Sequence, residues 1–337
     1  MNYKVIISKV IAVSLVISGV MASSNICFAK TPALHVEGTR IVSDSGKIVS
    51  LKGISTHGLP YNWDTKSTDY INKKAFKRLR DDWHANTVRI PVYTDTPYGG
   101  KGYCNVDEAA RKEYRKWVNK AVKYATSLGM YIIIDWHILD DNNPRTHEKM
   151  AKKFFATVSK KYADHDNVIY EICNEPHWVS WQNDIRPYAL KITKTIRKYD
   201  DDALIIVGTN TWSQDVDEVA GSMLPDDNTV YALHFYAATH GDFLIEKAKR
   251  ALEAGVPVFI SECNICDSSG NGNLDKSSGA KWMKLIREYD LPYVVWALSH
   301  KQESASLISN SCNKNFGWKT SELTEAGKWW RKQMRKG

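Results

Sequence analysis

Asn167-Val-Ile-Tyr-Glu-Ile-Cys-Asn-Glu175 is a strongly apolar run that stops abruptly on an amide and a carboxylate. It lacks the apolar–polar alternation of a half-exposed strand, and so suits a parallel strand covered on both faces. The same grammar recurs on either side, giving eight candidate strands at 51–56, 87–93, 131–137, 168–175, 204–209, 230–236, 257–262 and 293–298. Between them, segments 71–83, 106–128, 147–163, 181–199, 243–254, 279–290 and 322–335 carry apolar residues every three or four positions, as amphipathic helices do. The fifth crossover, near 213–224, has the weakest helical pattern. Eight strand-then-helix units in about 300 residues predict an α/β chain closed into a single (β/α)8 TIM barrel through right-handed crossovers. A doubly wound open sheet is the runner-up. It requires a Gly-rich phosphate turn after the first strand, and Gly53-Ile-Ser-Thr-His-Gly58 lacks the dinucleotide spacing.

The 337 residues, 43% hydrophobic and 25% charged, are enough for a full core and exclude a disordered or fibrous chain. Twelve Trp and 17 Tyr supply flat amphipathic faces suited to stacking on sugars, bases or apolar ligands. The chain opens with Lys4 and Lys9, an apolar run at 10–21 and a polar stretch ending at Ala29. That run is too short to span a bilayer and reads as a secretory signal, cleaved after Ala29 or, alternatively, after Ala22. The expected product is a secreted, monomeric single domain over residues 30–337 with no membrane attachment once residues 1–29 are removed. The formal charge of +8 falls by two with the signal and is spread over helical surfaces, so nucleic acid is not an expected partner. Of the six cysteines, cleavage after Ala29 leaves Cys104, Cys173, Cys263, Cys266 and Cys312. An odd number leaves at least one thiol free or paired between chains. A bridge involving Cys266 or Cys312 stays open, whereas Cys173, inside an apolar strand, reads as a small buried hydrophobe.

Function is signalled by what ends each strand. In chain order the tips carry His57, Arg89 with Tyr93, His137, Asn174 with Glu175, Asn210 with Trp212, His234 with Tyr236, Glu262, and Trp296. In a barrel these positions open onto one mouth, where active sites of this architecture lie. A ring of buried polar groups is costly unless its members serve one another or a ligand. Glu175 and Glu262 each terminate an apolar run, on the fourth and seventh strands, and can converge across the mouth. Two carboxylates flanking one bond are what glycoside hydrolysis requires. No His-Glu-x-x-His pattern points to a catalytic metal, although Asp135-Trp136-His137 invites the thought, and no motif implies a cofactor. A Gly-x-Ser-x-Gly elbow is also missing from the sequence.

At these residues the chain resembles the secreted bacterial endo-β-1,4-glucanases (cellulases) of glycoside hydrolase family 5, clan A. The resemblance is carried by Ser55-Thr-His-Gly-Leu59, Val88-Arg-Ile-Pro-Val-Tyr93, Tyr131-Ile-Ile-Ile-Asp-Trp-His-Ile-Leu139, Asn174-Glu-Pro176, Val207-Gly-Thr-Asn-Thr-Trp-Ser213, His234-Phe-Tyr236, Ile260-Ser-Glu262 and Trp296-Ala-Leu-Ser-His-Lys-Gln-Glu303, in the family's order. It implies retaining hydrolysis of β-1,4-glucan, with Glu175 as general acid/base and Glu262 as nucleophile. Arg89 and Tyr236 are then expected beside Glu262, favouring its ionised form, and Glu175 away from cations. The resemblance also implies that Asn174 contacts the sugar 2-OH, that His137 and His234 orient the same subsite, and that Trp296 forms its aromatic floor. By the same resemblance His57, Tyr93, Lys301 and Glu303 contact the substrate on the non-reducing side. Trp181 falls where the family stacks a residue on the leaving-group side, with a helix-packing role as the alternative.

Three departures stand out. Cys263-Asn264 follows the nucleophile position where relatives commonly carry an aromatic and Gly, so the loop there is free to bend differently. His177-Trp178 replaces Asn-Gly after Asn174-Glu-Pro, on the leaving-group side, and Tyr61 stands in place of a frequent Trp. Mannan, xylan, xyloglucan and mixed-linkage glucan remain alternative substrates. A barrel that binds carbohydrate without turnover is a second class, opposed by the presence of both glutamates.

Overall fold

A computed structural model describes residues 31–59, 67–95 and 101–336. The secretory-signal reading of residues 1–29 and the Tyr61 position lie outside these described residues.

Ten strands are present among the described residues. β1 (Leu34–Glu37) and β2 (Arg40–Ser43) form an antiparallel hairpin, turned at Gly38 with φ +61°. β3 (Lys52–Thr56), β4 (Thr87–Tyr93), β5 (Tyr131–His137), β6 (Val168–Glu171), β7 (Ile205–Val207), β8 (Thr229–Tyr236), β9 (Val258–Asn264) and β10 (Tyr293–Leu298) pair in parallel, and β10 returns to β3 to close the barrel. Around it run α1 (Lys73–Arg78), α2 (Glu108–Ser127), α3 (Glu148–Tyr162), α4 (Arg186–Arg197), the single turn α5 (Asn210–Ser213), α6 (Asp242–Glu253), α7 (Lys276–Glu288) and α8 (Glu325–Met334). The closed eight-stranded barrel expected from the alternating pattern is therefore the fold.

Alternation along each strand sorts the side chains. On β5, Ile132, Ile134 and Trp136 join the core between barrel and helices, while Tyr131 and Ile133 join the barrel's interior cluster. Asp135 and His137 share the inward parity higher up, at the mouth. β8 repeats this, with Val230 and Ala232 inside, His234 and Tyr236 above them, and Phe235 outside, stacked on Trp282 of α7 at 4.0 Å. The interior is thus apolar at its floor and polar at its C-terminal end. Leu34 and Ile41 of the hairpin belong to the interior cluster and close the floor. The hairpin was not foreseen, because four-residue strands around one Gly give little periodic signal.

Three local departures from the expected elements have physical causes. The helix expected over 71–83 is α1 followed by a wider π-helical turn, Leu79–Trp83, that ends at His84 in the left-handed region. The helix expected over 181–199 likewise begins with a π-helical turn, Trp181–Ile185, because Pro187 has no N–H to donate back to Asn183. The weak fifth crossover is only α5 and a short 3₁₀ turn, Val216–Val219. Cys104, Cys173, Cys263, Cys266 and Cys312 are all free thiols, so the open bridge involving Cys266 or Cys312 is not formed.

Two features aim the mouth residues. Between Ala232 and His234 of β8 lie two steps, and between their partners Phe259 and Glu262 of β9 lie three. On the other side, Tyr293 and Val295 of β10 face Ile260 and Cys263 with the same offset. β9 therefore carries a bulge, and one extra residue reverses the facing of everything after it. Glu262 turns into the mouth and Cys263 turns outward into the helix-packing core, its thiol against the Val294 carbonyl at 3.3 Å. The second feature concerns the strand expected over 168–175, whose ladder ends at Glu171 because β7 is so short. Beyond it the chain is held by Asn174 N–H to Trp136 O (3.2 Å), Glu175 N–H to Ile138 O (3.3 Å) and the Ser213 hydroxyl to Asn174 O (2.7 Å). Gly208 packs against this segment so closely that a Cβ there would run into the Cys173 carbonyl oxygen.

Candidate active site

Arg89 on β4 is fully buried at the centre of the mouth and uses its planar fork fully. Its Nε donates to Glu171 Oε2 (2.7 Å), Nη1 to Glu262 Oε2 (2.9 Å) and Nη2 to Asn174 Oδ1 (2.7 Å), with Asp135 Oδ2 3.0 Å from Nη2. Burial opposes its charge, but Asp135, Glu171 and Glu262 outweigh burial and hold the guanidinium firmly protonated. Glu262 receives a second hydrogen bond from Tyr236 OH on its other oxygen (2.7 Å). Burial alone would raise its affinity for a proton, yet Arg89, then His234, bring it below the usual carboxylate range. Glu262 is thereby a pre-oriented carboxylate.

Glu175 is mounted differently, past the end of β6. Its Oε1 accepts from His234 Nδ1 at 2.9 Å, while His234 Nε2 meets Ser261 Oγ at 2.9 Å and lies 3.8 Å from Glu171 Oε1. Burial disfavours the imidazolium, but the carboxylates of Glu171 and Glu175 beside it prevail and lift His234 to about 9. The expectation that Glu175 sits away from cations is therefore corrected: a cationic ring is its immediate partner. A stability prediction follows from the sign of this shift. A histidine raised from about 6.5 contributes its full stabilisation below that pH and loses it as pH rises toward about 9. Unfolding free energy should fall by up to about 3 kcal/mol across that window, and His234→Asn should abolish this part of the slope. Denaturant titrations at pH 6.5 and 9 measure both, and equal slopes in the two proteins would contradict it.

An oxygen of Glu175, an oxygen of Glu262 and a ring nitrogen of His234 all lie within 4.8 Å of one another. Three such atoms could in principle ligate a metal ion. In this arrangement, however, these groups already serve protein partners, His234 bonded to Glu175 and Ser261 and Glu262 to Arg89 and Tyr236.

Two cavities meet at Glu175. One, of about 200 Å³, is lined by His57, Tyr93, His137, Glu175, Tyr236, Glu262, Trp296, Lys301 and Glu303. The other, of about 270 Å³, is lined by Glu175, Trp212, Gln214, His234, Tyr236, His240 and Ser268. In the first, His137 stacks on Trp296 with rings 7° from parallel, and its Nδ1 lies 2.6 Å from Asp135 Oδ2. Burial, with Arg89 next, lowers His137 to about 3 and keeps the ring neutral. His57 Nε2 and Lys301 Nζ flank Glu303 at 3.2 and 2.5 Å. Asn264, one of the sequence departures, donates to the backbone carbonyls of Trp296 and Ala305 and accepts from Trp330 Nε1. The end of β9 is thus tied both to the mouth and to α8.

The structure places His57, Arg89, Tyr93, His137, Asn174, Glu175, His234, Tyr236, Glu262, Trp296, Lys301 and Glu303 around this cleft. Trp181 is not there. It is 1% exposed, donates from Nε1 to Ser222 Oγ and packs edge-on to Tyr231, so the helix-packing alternative describes it. The aromatic wall of the larger cavity is Trp212 instead. Sequence reasoning also passed over Glu171 and assigned Asp135 no role. Both are wholly buried within strands, and an acid inside an apolar run implies a buried cation nearby.

Two mouth carboxylates this close, one fixed by a guanidinium and a phenol and one at the seam of two cavities, are equipment for glycosidic-bond cleavage. The chain belongs to the cellulase family, glycosyl hydrolase family 5, whose family model matches residues 42–302. It is 44% identical over 305 residues to Endoglucanase 5 of Pectobacterium carotovorum subsp. carotovorum, covering 90% of this chain and 58% of that protein. Endoglucanase N of Pectobacterium atrosepticum is 44% identical over 305 residues, with 90% and 66% covered. The chain thus spans roughly three fifths to two thirds of the length of these relatives. Among solved structures, the catalytic domain of a Thermobifida fusca endoglucanase in complex with cellotetraose superposes with a TM-score of 0.82 at 30% identity, covering 90% of this chain and 98% of that one. A Cytophaga hutchinsonii structure gives 0.83 at 34% identity, covering 90% and 94%.

Proposed function

We propose that this chain is a retaining endo-β-1,4-glucanase that cleaves cellulose and related β-glucans, with Glu262 as nucleophile and Glu175 as acid/base. The observation that carries this reading is the carboxylate oxygen separation, within 4.8 Å. Retaining enzymes hold their carboxyl groups about 5–5.5 Å apart, and inverting ones leave about 6.5–9.5 Å for a water. In the first step Glu262 attacks the anomeric carbon while Glu175 passes its proton to the departing glycosidic oxygen. The C–O bond breaks and a glycosyl ester of Glu262 forms. That ester no longer carries the Glu262 charge. Glu175, now a carboxylate, takes a proton from water as the water attacks the anomeric carbon and frees Glu262. Asn174 donates one amide hydrogen to Ile138 O and has a second for the sugar 2-OH, a contact that tightens in the transition state. The 200 Å³ cavity takes the non-reducing side, over Trp296 and beside His57, Tyr93, Lys301 and Glu303, and the larger one takes the leaving group. Glucan specificity draws support from the names of the relatives and from the cellotetraose held by the Thermobifida fusca domain. We also propose that the protein is exported with residues 1–29 removed and acts as a monomer. No described helix is long and apolar enough to cross a membrane.

Proton NMR of a cello-oligosaccharide digest tests mechanism and linkage together. The β-anomer should form first and mutarotate afterwards, and an initial α-anomer would refute retention. A panel of mannan, xylan, xyloglucan and mixed-linkage glucan ranks the alternative substrates, with cellulose-type glucans expected to be cleaved fastest.

A further inference from the structure

We infer that Trp178 is a sugar-binding platform that extends the leaving-group arm of the cleft beyond the cavity Trp212 lines, adding a distal site for one more glucosyl residue of a β-glucan chain. This rests on the hydrolase reading above and adds a specificity-determining residue to it.

Three observations converge on this side chain. Trp178 is 79% exposed, more than any other exposed large hydrophobic of the described residues, so neither core packing nor a neighbouring element accounts for it. Its backbone lies in the left-handed region, φ +55°, which a bulky residue enters at a cost and which glycine enters freely. Such strain persists where it serves a site. Finally, the indole is not loose. It stands edge-on to Trp212 at 5.6 Å (78°) and to His177 at 4.9 Å (78°), and His177 is stacked flat on Trp212 at 4.5 Å (12°). Backbone bonds fix this corner, with His177 N–H on Asn142 O, His177 Nδ1 on Glu175 O and Trp212 N–H on Pro176 O.

The corner is three residues from Glu175 in sequence and adjoins, through Trp212, the cavity that Glu175 and Trp212 line. A flat, exposed indole beyond that cavity matches the apolar face of a glucopyranose ring, whose axial C–H groups stack on aromatic faces. Phe243, 56% exposed, stands edge-on at 6.2 Å to His240, another residue lining that cavity. The occupant is the reducing-end part of a bound β-glucan.

The test compares wild type, Trp178→Ala and Trp178→Tyr on cellohexaose and on dinitrophenyl β-cellobioside, whose small leaving group stops short of Trp178. Trp178→Ala should lower kcat/KM on cellohexaose about tenfold more than on the aryl glycoside, mainly through KM. It should also shift cleavage toward shorter reducing-end fragments, and Trp178→Tyr should restore most of the loss. An unchanged cleavage pattern, or equal losses on both substrates, would overturn the platform. Should wild type cleave neither substrate, the hydrolase reading falls instead. Calorimetric titration of cellohexaose into wild type and Trp178→Ala then decides the platform by itself, and equal affinities would refute it.

Discussion

Glu262→Gln is expected to lose at least about four orders of magnitude in kcat on any β-glucan, with the fold intact. The amide keeps the shape and can still accept from Tyr236, but it cannot form the glycosyl ester. Glu175→Gln is expected to behave differently, and the difference is the diagnostic part. Its loss should be about 10²–10⁴-fold on cello-oligosaccharides, whose leaving oxygen needs a proton. On dinitrophenyl cellobioside the first step needs no proton, so a rapid burst should be followed by a slow steady state in which the ester on Glu262 waits for a base. Azide, which attacks without one, should accelerate turnover and yield a β-glycosyl azide. Burst kinetics and product NMR read all of this. Wild-type rates in either variant, or an α-linked azide, would contradict the assignment of roles.

The second large effect is structural. Arg89→Met should destabilise the fold by about 3–5 kcal/mol at neutral pH, because Asp135, Glu171 and Glu262 lose the cation they share inside the barrel. The pH dependence distinguishes this from a simple packing loss. In wild type, Glu171 is brought down to about 2, since Arg89 and the nearby His234 outweigh the burial that would raise it. A depressed carboxylate contributes stability above its unfolded value near 4.5 and loses it as pH falls through its folded value. In the variant the same acids are unpaired and gain stability by protonation. The difference between the two proteins should therefore narrow steadily from pH 7 to pH 4. A constant deficit would show that side-chain volume, not charge, is what Arg89 supplies. Arg89→Lys should recover only part of the loss, because one ammonium cannot serve three acceptors in a plane.

The barrel was legible because eight doubly covered strands each leave an apolar run, and the ring at its mouth because polar residues at strand ends share one side of the fold. What escaped was set by contacts that leave no local trace. Trp181 occupies a helical register in which stacking on a ligand and packing on Tyr231 look alike until the helix is docked. Glu171 ends β6 but lies in the middle of the apolar run 167–175, and the guanidinium that balances it comes from 82 positions earlier in the chain. The His234 cation beside Glu175 arises from two carboxylates that together overcome burial, a sum over three elements that one-dimensional spacing does not contain. The hairpin at the floor was missed for its brevity, and Cys263 and Asn264 became interpretable only once their facing was known.

That facing depends on a count. Were β9 to keep simple alternation from Phe259, the thiol of Cys263 would look into the mouth and the carboxylate of Glu262 would be lodged among the helices. Glu262 thus faces the mouth because the extra residue between it and Phe259 is taken up as a bulge. Deleting one residue there would flatten the strand and keep the acid on the inward parity, whereas straightening the strand at full length would present a sulfur to the mouth instead.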